Sequence, residues 1–391
     1  MSETWIQPPE NTLASLRHGI VNSDGIEFDL RMTSDKQLVI HHDAKISVNK
    51  SLLEKSNPYV ESWDSTELKK LGFSTLDDIL NDKEIISQWR DNGKMVCLEL
   101  KRPHPKSPIG GGYFGKKQVT KVISEMITKA ELMLDEAEIP KANSVFYAFH
   151  NQMHKSVKQV NCQRNWAELL PVVPRYGTKR FKRIMAYPQY LITPFSRLIN
   201  KHRKREASMV PCAIEYFQPF YNRLLIGKSV GLSGKRLNHF RNCQSGVPVY
   251  VWPALEKYEH KLLSSGITGL TDNLDPNFTM YQNGGARWTF PATKPLDEQQ
   301  LKLLDEATWE THNDILKQLN LDAPNWHECD KSRRTQLIKM WARKWNWDIN
   351  IESTVNKCTL SPPWQSVRLI GHRGSGKTAR PIINKTSFSM S

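Results

Sequence analysis

Val367-Arg368-Leu369-Ile370-Gly371-His372-Arg373-Gly374 is a short apolar run ending in a charged, glycine-bounded turn near the C-terminus. Seven other runs share its texture: Gly25–Leu30, Met95–Leu100, Ser144–Phe149, Leu169–Val173, Pro211–Tyr216, Val247–Trp252 and Thr268–Asp272. They are near-continuously hydrophobic rather than alternating, as strands buried on both faces of a parallel sheet should be. Amphipathic stretches such as Lys117–Leu134 and Lys235–Cys243 lie between them. Eight strands with helical crossovers predict an α/β fold, the (β/α)8 TIM barrel.

Leu38-Val39-Ile40-His41-His42 follows Gly25–Leu30 too closely for that scheme. A parallel crossover needs about a dozen residues, so this run should return as a hairpin. With Ser34-Asp35 at the turn centre, His42 falls opposite Glu27, and His41 points to the other face as a structural residue. Residues 283–363 differ again. Leu296–Leu319 and Lys331–Trp347 have helical periodicity, and the segment is rich in tryptophan. It reads as a helical appendage whose tryptophans pack a core. The expected division is 1–282 for most of the barrel, 283–363 for the appendage and 364–391 for a segment returning one strand to the barrel.

Composition excludes several classes. Of the 391 residues, 39% are hydrophobic and 24% charged, as in an ordinary water-soluble protein. No apolar run reaches the roughly 18 residues of a membrane span, and no secretory signal is visible. The six cysteines are scattered without a CxxC pair, which reads as reduced thiols in a cytoplasmic protein. The net charge of +15 is concentrated. Between Arg175 and Arg241 there are 15 Lys and Arg against Glu206 and Glu215. Such a patch attracts a phosphate-bearing substrate or an anionic surface. Within 175–241, Tyr190, Leu191, Ile192, Phe195, Leu198 and Ile199 lie between two basic runs. That arrangement suits peripheral contact with an anionic membrane, or else a buried helix with basic ends. No nucleic-acid module is recognisable, and no nucleic-acid partner is expected.

In a barrel, chemistry sits at the C-terminal ends of the strands. Glu27 and Asp29 are two apart and share a strand face. Glu99 closes an apolar strand that has little other reason to hold a carboxylate. Three converging carboxylates repel one another, and a hard divalent cation such as Mg2+ or Ca2+ resolves this. Lys101 shares the face of Glu99 and is placed to bind phosphate or to pair with it.

Together the motifs become specific. Read from His372-Arg373-Gly374 to the end and then onward from Met1, they are Glu10-Asn11-Thr12, Glu27-Phe28-Asp29, His42-Asp43 and Glu99-Leu100-Lys101. With Thr271-Asp272 this set resembles the glycerophosphodiester phosphodiesterase family over residues 5–275 and 367–391, in an order that looks circularly permuted. The resemblance implies a TIM barrel and hydrolysis of glycerophosphodiesters to glycerol phosphate and an alcohol. It implies His372 and His42 as the acid–base pair beside a metal held by Glu27, Asp29 and Glu99. Arg373 would grip the phosphate, with Lys101 beside it and Glu10, Asn11 and Trp252 in support. Ala148-Phe149-His150 and Trp252-Pro253 depart from the family pattern where the leaving-group pocket is lined, which leaves the alcohol open. A lysophospholipid at a membrane is the alternative substrate, and a non-catalytic anion-binding or nucleic-acid-binding protein the alternative of another class.

Gly371–Thr378 also satisfies the GxxxxGK[ST] phosphate loop after a strand. Such a loop must open a helix, and Pro381 with the aperiodic tail argues against one.

Overall fold

The computed structural model describes residues 5–46, 57–150, 152–169, 191–219 and 227–378. Its strands are β1 (Gly25–Met32), β2 (Leu38–Ile40), β3 (Met95–Leu100), β4 (Ser144–Ala148), β5 (Asn165–Glu168), β6 (Val210–Ala213), β7 (Val249–Trp252), β8 (Ile267–Thr271) and β9 (Leu369–Gly371). Eight run in the order β5-β4-β3-β1-β9-β8-β7-β6 with parallel neighbours throughout, and β2 returns antiparallel along β1. The two ends of this sheet approach each other where Ser208 N donates to Trp166 O at 2.9 Å. The result is a nearly closed barrel of the TIM type.

The strands are apolar on both faces because each face meets protein. Ile26, Phe28 and Leu30 of β1 pack outward under the helix Lys116–Glu136 with Val119, Ile123 and Ile127. Cys97, Val145, Tyr147, Ala167, Tyr250 and Ile370 form a separate cluster, consistent with filling the interior. Glu27 and Asp29 alternate with the outward residues of β1, so they face inward.

β9 is inserted between β8 and β1, pairing Gly371 with both Thr271 and Ile26. The helix that covers this junction, Leu13–Asn22, comes from the other end of the chain. Thr12 caps it by accepting from Ser15 N at 3.2 Å. The two terminal segments are knitted together: Asn11 N donates to Arg373 O at 3.1 Å, and Ser375 N donates to Ser15 Oγ at 2.9 Å. Gly374, at φ +91°, lies so close to this helix that an added Cβ would stand 2.5 Å from the Ser15 backbone. Among the described residues the segment after Gly374 opens no helix, in line with the rejection of a phosphate loop.

Two expectations need correction. The strand expected at Leu169–Val173 is Asn165–Glu168, and residues 170–173 lie outside the described set. Its polar ends hid it, since Glu168 is buried against Arg205 rather than replaced by an apolar residue. The hairpin pairs Leu30 with Ile40, one register step from the expected pairing, so continuing the ladder would set Asp43 rather than His42 opposite Glu27. The turn holds one residue more than the minimal count, with Lys36 in the left-handed region at φ +60°. Of the two readings of the segment around Phe195, the buried helix with basic ends is the one seen: Phe195, Leu198 and Ile199 of the helix Phe195–Lys204 are buried against Val210 and Phe240. Tyr190 and residues 175–189 lie outside the described set.

Between β8 and β9 run the helices Glu298–Asp305, His312–Asp322, Lys331–Trp345 and Ile351–Lys357. Trp326, Trp341, Trp345 and Trp347 form the core of the last two with Leu337 and Val355, and the first two pack through Leu304 and Leu319 against Ala286 and Leu296. Trp309, 72% exposed, is the exception to the packing expected of these tryptophans. No described helix is long and apolar enough to cross a membrane.

Candidate active site

Strand register brings the carboxylates together. Asp29 is the lateral neighbour of Glu99 across β1 and β3, and Glu99 that of Tyr147 across β3 and β4. Glu27, Asp29 and Glu99 are all buried, and each offers an oxygen within 4.8 Å of the others. Tyr147 Oη donates to Glu27 Oε1 at 2.8 Å and lies 3.5 Å from Glu99 Oε2. Lys101 Nζ pairs with Asp29 Oδ1 at 2.8 Å and with Glu99. Asn11 Nδ2 donates to Asp29 Oδ2 at 2.8 Å.

The turn after β9 completes the cluster. Arg373, at φ +53°, donates its backbone N–H to Glu27 Oε2 at 2.9 Å. Its guanidinium binds Glu10 Oε1 at 2.6 Å and lies 3.4 Å from Asp29 Oδ2. Four carboxylates therefore face two side-chain cations. Burial and the Asp29 charge push the Glu27 carboxyl above its usual range. Burial, with Asp29 and Glu27 adding to it against Lys101, raises Glu99 to about 8. Burial also opposes the charge of Asp29, but Lys101, His42 and Arg373 outweigh it and hold that group well below the usual carboxylate range. A buried, oxygen-only set carrying excess negative charge fits a hard divalent cation.

His372 is 4% exposed. Its Nδ1 lies 2.6 Å from Asp272 Oδ1 and 3.2 Å from Trp252 Nε1, and Nε2 lies 3.7 Å from Glu27 Oε2. Nδ1 cannot both donate to Asp272 and accept from Trp252. The shorter, charge-assisted bond decides, so a proton sits on Nδ1 toward Asp272 and Nε2 is the ring atom turned toward the carboxylates. His42 pairs Nδ1 with Asp43 Oδ1 at 3.0 Å, and its charge acts on Asp29. His41 packs on Phe73 at 4.8 Å, as a structural residue should. Phe149 and Trp252 meet edge-on at 6.1 Å and form an aromatic wall beside Lys101, whose Nζ is 5.6 Å from the Phe149 ring. His150, next along, is driven down to about 4 by burial.

Thus the residues named from sequence on β1, β3 and β9 converge, together with Glu10, Asn11 and Trp252. Lys101 and Arg373 converge too, but both are engaged by carboxylates. Sequence reasoning missed Tyr147 and the role of Asp272. Tyr147 occupies the inward position of its strand at the level of Glu99, so alternation along Ser144–Ala148 was the signal available. Asp272 ends a strand directly beside β9, but only the pairing reveals which histidine it meets.

Residues 5–182 match the sequence model of the glycerophosphoryl diester phosphodiesterase family. Similar solved structures include a glycerophosphodiester phosphodiesterase from Thermotoga maritima, at 16% identity over 67% of this chain and 87% of that one, with a TM-score of 0.40. A phosphodiesterase from Oleispira antarctica, solved with the product sn-glycerol-3-phosphate, is 17% identical over 68% of this chain and 88% of its own, at TM-score 0.42. A glycerophosphodiester phosphodiesterase from Parabacteroides distasonis is 13% identical over 77% and 85%, at TM-score 0.40. Among curated proteins, no sequence matches. By its motifs and this match over residues 5–182, the chain carries the sequence pattern of the glycerophosphoryl diester phosphodiesterase family, a family of phosphoric diester hydrolases.

Proposed function

We propose that the barrel mouth hydrolyses glycerophosphodiesters to glycerol phosphate and an alcohol, with His372 and His42 as the acid–base pair. The observation that carries this is the orientation of His372: Asp272 holds its Nδ1 at 2.6 Å, leaving Nε2 toward the carboxylate cluster. One histidine takes the proton from the attacking oxygen, and the other delivers one to the alcohol oxygen as the P–O bond breaks. Glu27, Asp29 and Glu99 would hold a divalent cation, Mg2+ or Ca2+, which supplies charge neutralisation to the phosphoryl oxygens. Arg373 and Lys101 add positive charge beside them, and a phosphate would compete with Glu10 and Glu99 for these side chains. Phe149, His150 and Trp252 would line the space of the departing alcohol. We read the chain order as a circular permutation, supported by β9 lying between β8 and β1.

The test is a metal-supplemented assay on glycerophosphocholine, glycerophosphoethanolamine, glycerophosphoinositol and lysophospholipids. His372→Ala and His42→Ala should each lower kcat by about 10²–10⁴, and chelation should abolish turnover. Unchanged hydrolysis in His372→Ala would sink the mechanism and leave anion binding without catalysis as the better reading. A lysophospholipid at a membrane is the second reading, favoured by one feature. The loop after β3 exposes Tyr113 at 66% and Phe114 at 96% on the end of the barrel that carries the site. Exposed aromatic rings beside Lys116 and Lys117 suit a lipid interface. Phe114→Ala should then weaken co-sedimentation with anionic liposomes, and equal binding by the variant would remove this reading.

A further inference from the structure

Arg31 is a buried cation near the end of β1, two residues past Asp29 and on the same strand face. Its guanidinium reaches three segments at once. Nη2 donates to His42 O at 2.9 Å, and Nη1 donates to Glu61 Oε1 at 2.8 Å and to Arg102 O at 3.4 Å. Glu61 is buried too, in the 3₁₀ turn Val60–Ser62. Among the described residues Arg31 makes no ion pair with Glu27, Asp29 or Glu99, so its direct hold is on the chain around His42 and not on the carboxylate cluster.

These contacts close a ring around the segment that carries His42. The strand β2 ends at Ile40, and His41 N donates to Asp29 O at 3.0 Å. Beyond His42 and Asp43, the turn that bears Glu61 binds the chain again: Val60 N donates to Ala44 O at 3.0 Å, and Ile46 N to Pro58 O at 2.8 Å. Tyr59, just before that turn, stacks on His104 at 3.9 Å, which draws the loop after β3 into the same ring. A guanidinium is a planar fork whose donors point in fixed directions. Here one prong is committed to the His42 carbonyl and another to the Glu61 carboxylate. A buried ion pair gains little net stability, because desolvation offsets the attraction. What this pair does supply is direction, since it fixes the backbone of His42 relative to β1.

We propose that Arg31, held by Glu61, is a positioning residue for His42: its bond to the His42 carbonyl keeps that histidine in place beside the carboxylate cluster. The inference rests on the reading of His42 as one of the acid–base pair. Misplacing a catalytic group by about 1 Å can lower a rate by about 10²-fold. A residue that acts only on the place of His42 therefore affects kcat and leaves KM alone.

Metal-supplemented kinetics of the full chain on glycerophosphocholine, glycerophosphoethanolamine and glycerophosphoinositol test this, with a thermal melt of every variant. Arg31→Lys keeps the charge beside Glu61 and loses the fork. It should lower kcat by about tenfold or more, with KM within about twofold of the parent's. The double variant Arg31→Met/Glu61→Leu replaces the ion pair by apolar side chains of similar size, a change that folds commonly accept, and should lower kcat at least as far. On a His42→Ala background neither change should lower kcat further, whereas a merely structural role would add its loss there too. Parent-like kcat in both Arg31 variants overturns the proposal, as does a further tenfold loss on the His42→Ala background. Unfolding of both variants at the assay temperature assigns the pair to the fold and overturns it equally. His42→Ala at parent rates removes the acid–base reading and the positioning role with it. A deep loss in His42→Ala beside intact Arg31 variants removes the positioning role alone.

Discussion

At the residue scale, the site depends on pairs whose members could not be read from one strand alone. Asp272 fixes the proton of His372 on Nδ1, as the 2.6 Å contact requires. Asp272→Asn should therefore lower kcat by about tenfold or more while leaving KM and the unfolding midpoint near those of the parent, because the tautomer and not the fold is lost. Steady-state kinetics beside a thermal melt separate the two effects. Tyr147 acts on the carboxylates rather than on substrate. Tyr147→Phe removes the donor to Glu27 Oε1 and should weaken divalent-cation affinity by about 10–100-fold, read by calorimetric titration with Mg2+ or Ca2+. Arg373 was expected to serve phosphate and Lys101 either phosphate or Glu99, and both pair with carboxylates here. Sequence shows that a cation is present but not what it already holds.

At the element scale, the junction of β9 with the helix Leu13–Asn22 is the demanding piece of construction. Gly371, Gly374 and Gly19 meet there, and Gly374 combines φ +91° with backbone contact to Ser15. Gly374→Ala adds the left-handed strain of an L residue to a clash that backbone cannot relieve. It should cost about 2 kcal/mol or more, measured as a fall in the urea midpoint. The glycine-bounded turn was legible in sequence, and its reason was not: the neighbour that forbids a Cβ lies at the other end of the chain. The same holds for the hairpin. A return of β2 along β1 followed from the short connection, but its register depended on the left-handed conformation at Lys36, which the turn sequence did not announce.

For the whole molecule, joining distant parts of the chain leaves buried charge at the seams. Lys94 lies beneath the Phe290 ring at 4.9 Å and donates to Ile20 O and Val21 O at 2.5 and 3.1 Å. Burial, only partly offset by Asp24, lowers its ammonium from 10.5 to about 7. Between those pH values the unfolded chain binds a proton that the folded chain has released. Stability from this group therefore rises with pH across that window and is flat below it. Lys94→Met should flatten the rise, read from urea midpoints at pH 7 and pH 9. An equally steep rise in the variant would assign the dependence elsewhere.

Sequence alone determined most of the strand inventory and which carboxylates gather at one end of the barrel. Strands buried on both faces must be apolar without interruption, so the charges tolerated inside them (Glu27, Asp29 and Glu99) stand out as costly and purposeful. It also placed the C-terminal run beside the N-terminal one, since the motif is continuous only when the two are joined. Tertiary structure decided which carboxylate orients which histidine, that Tyr147 bridges Glu27 and Glu99, and that the apolar face of Phe195–Lys204 turns inward. Those outcomes depend on through-space neighbours separated by tens to hundreds of residues. Local periodicity says which side of an element is apolar, and only packing says what that side meets.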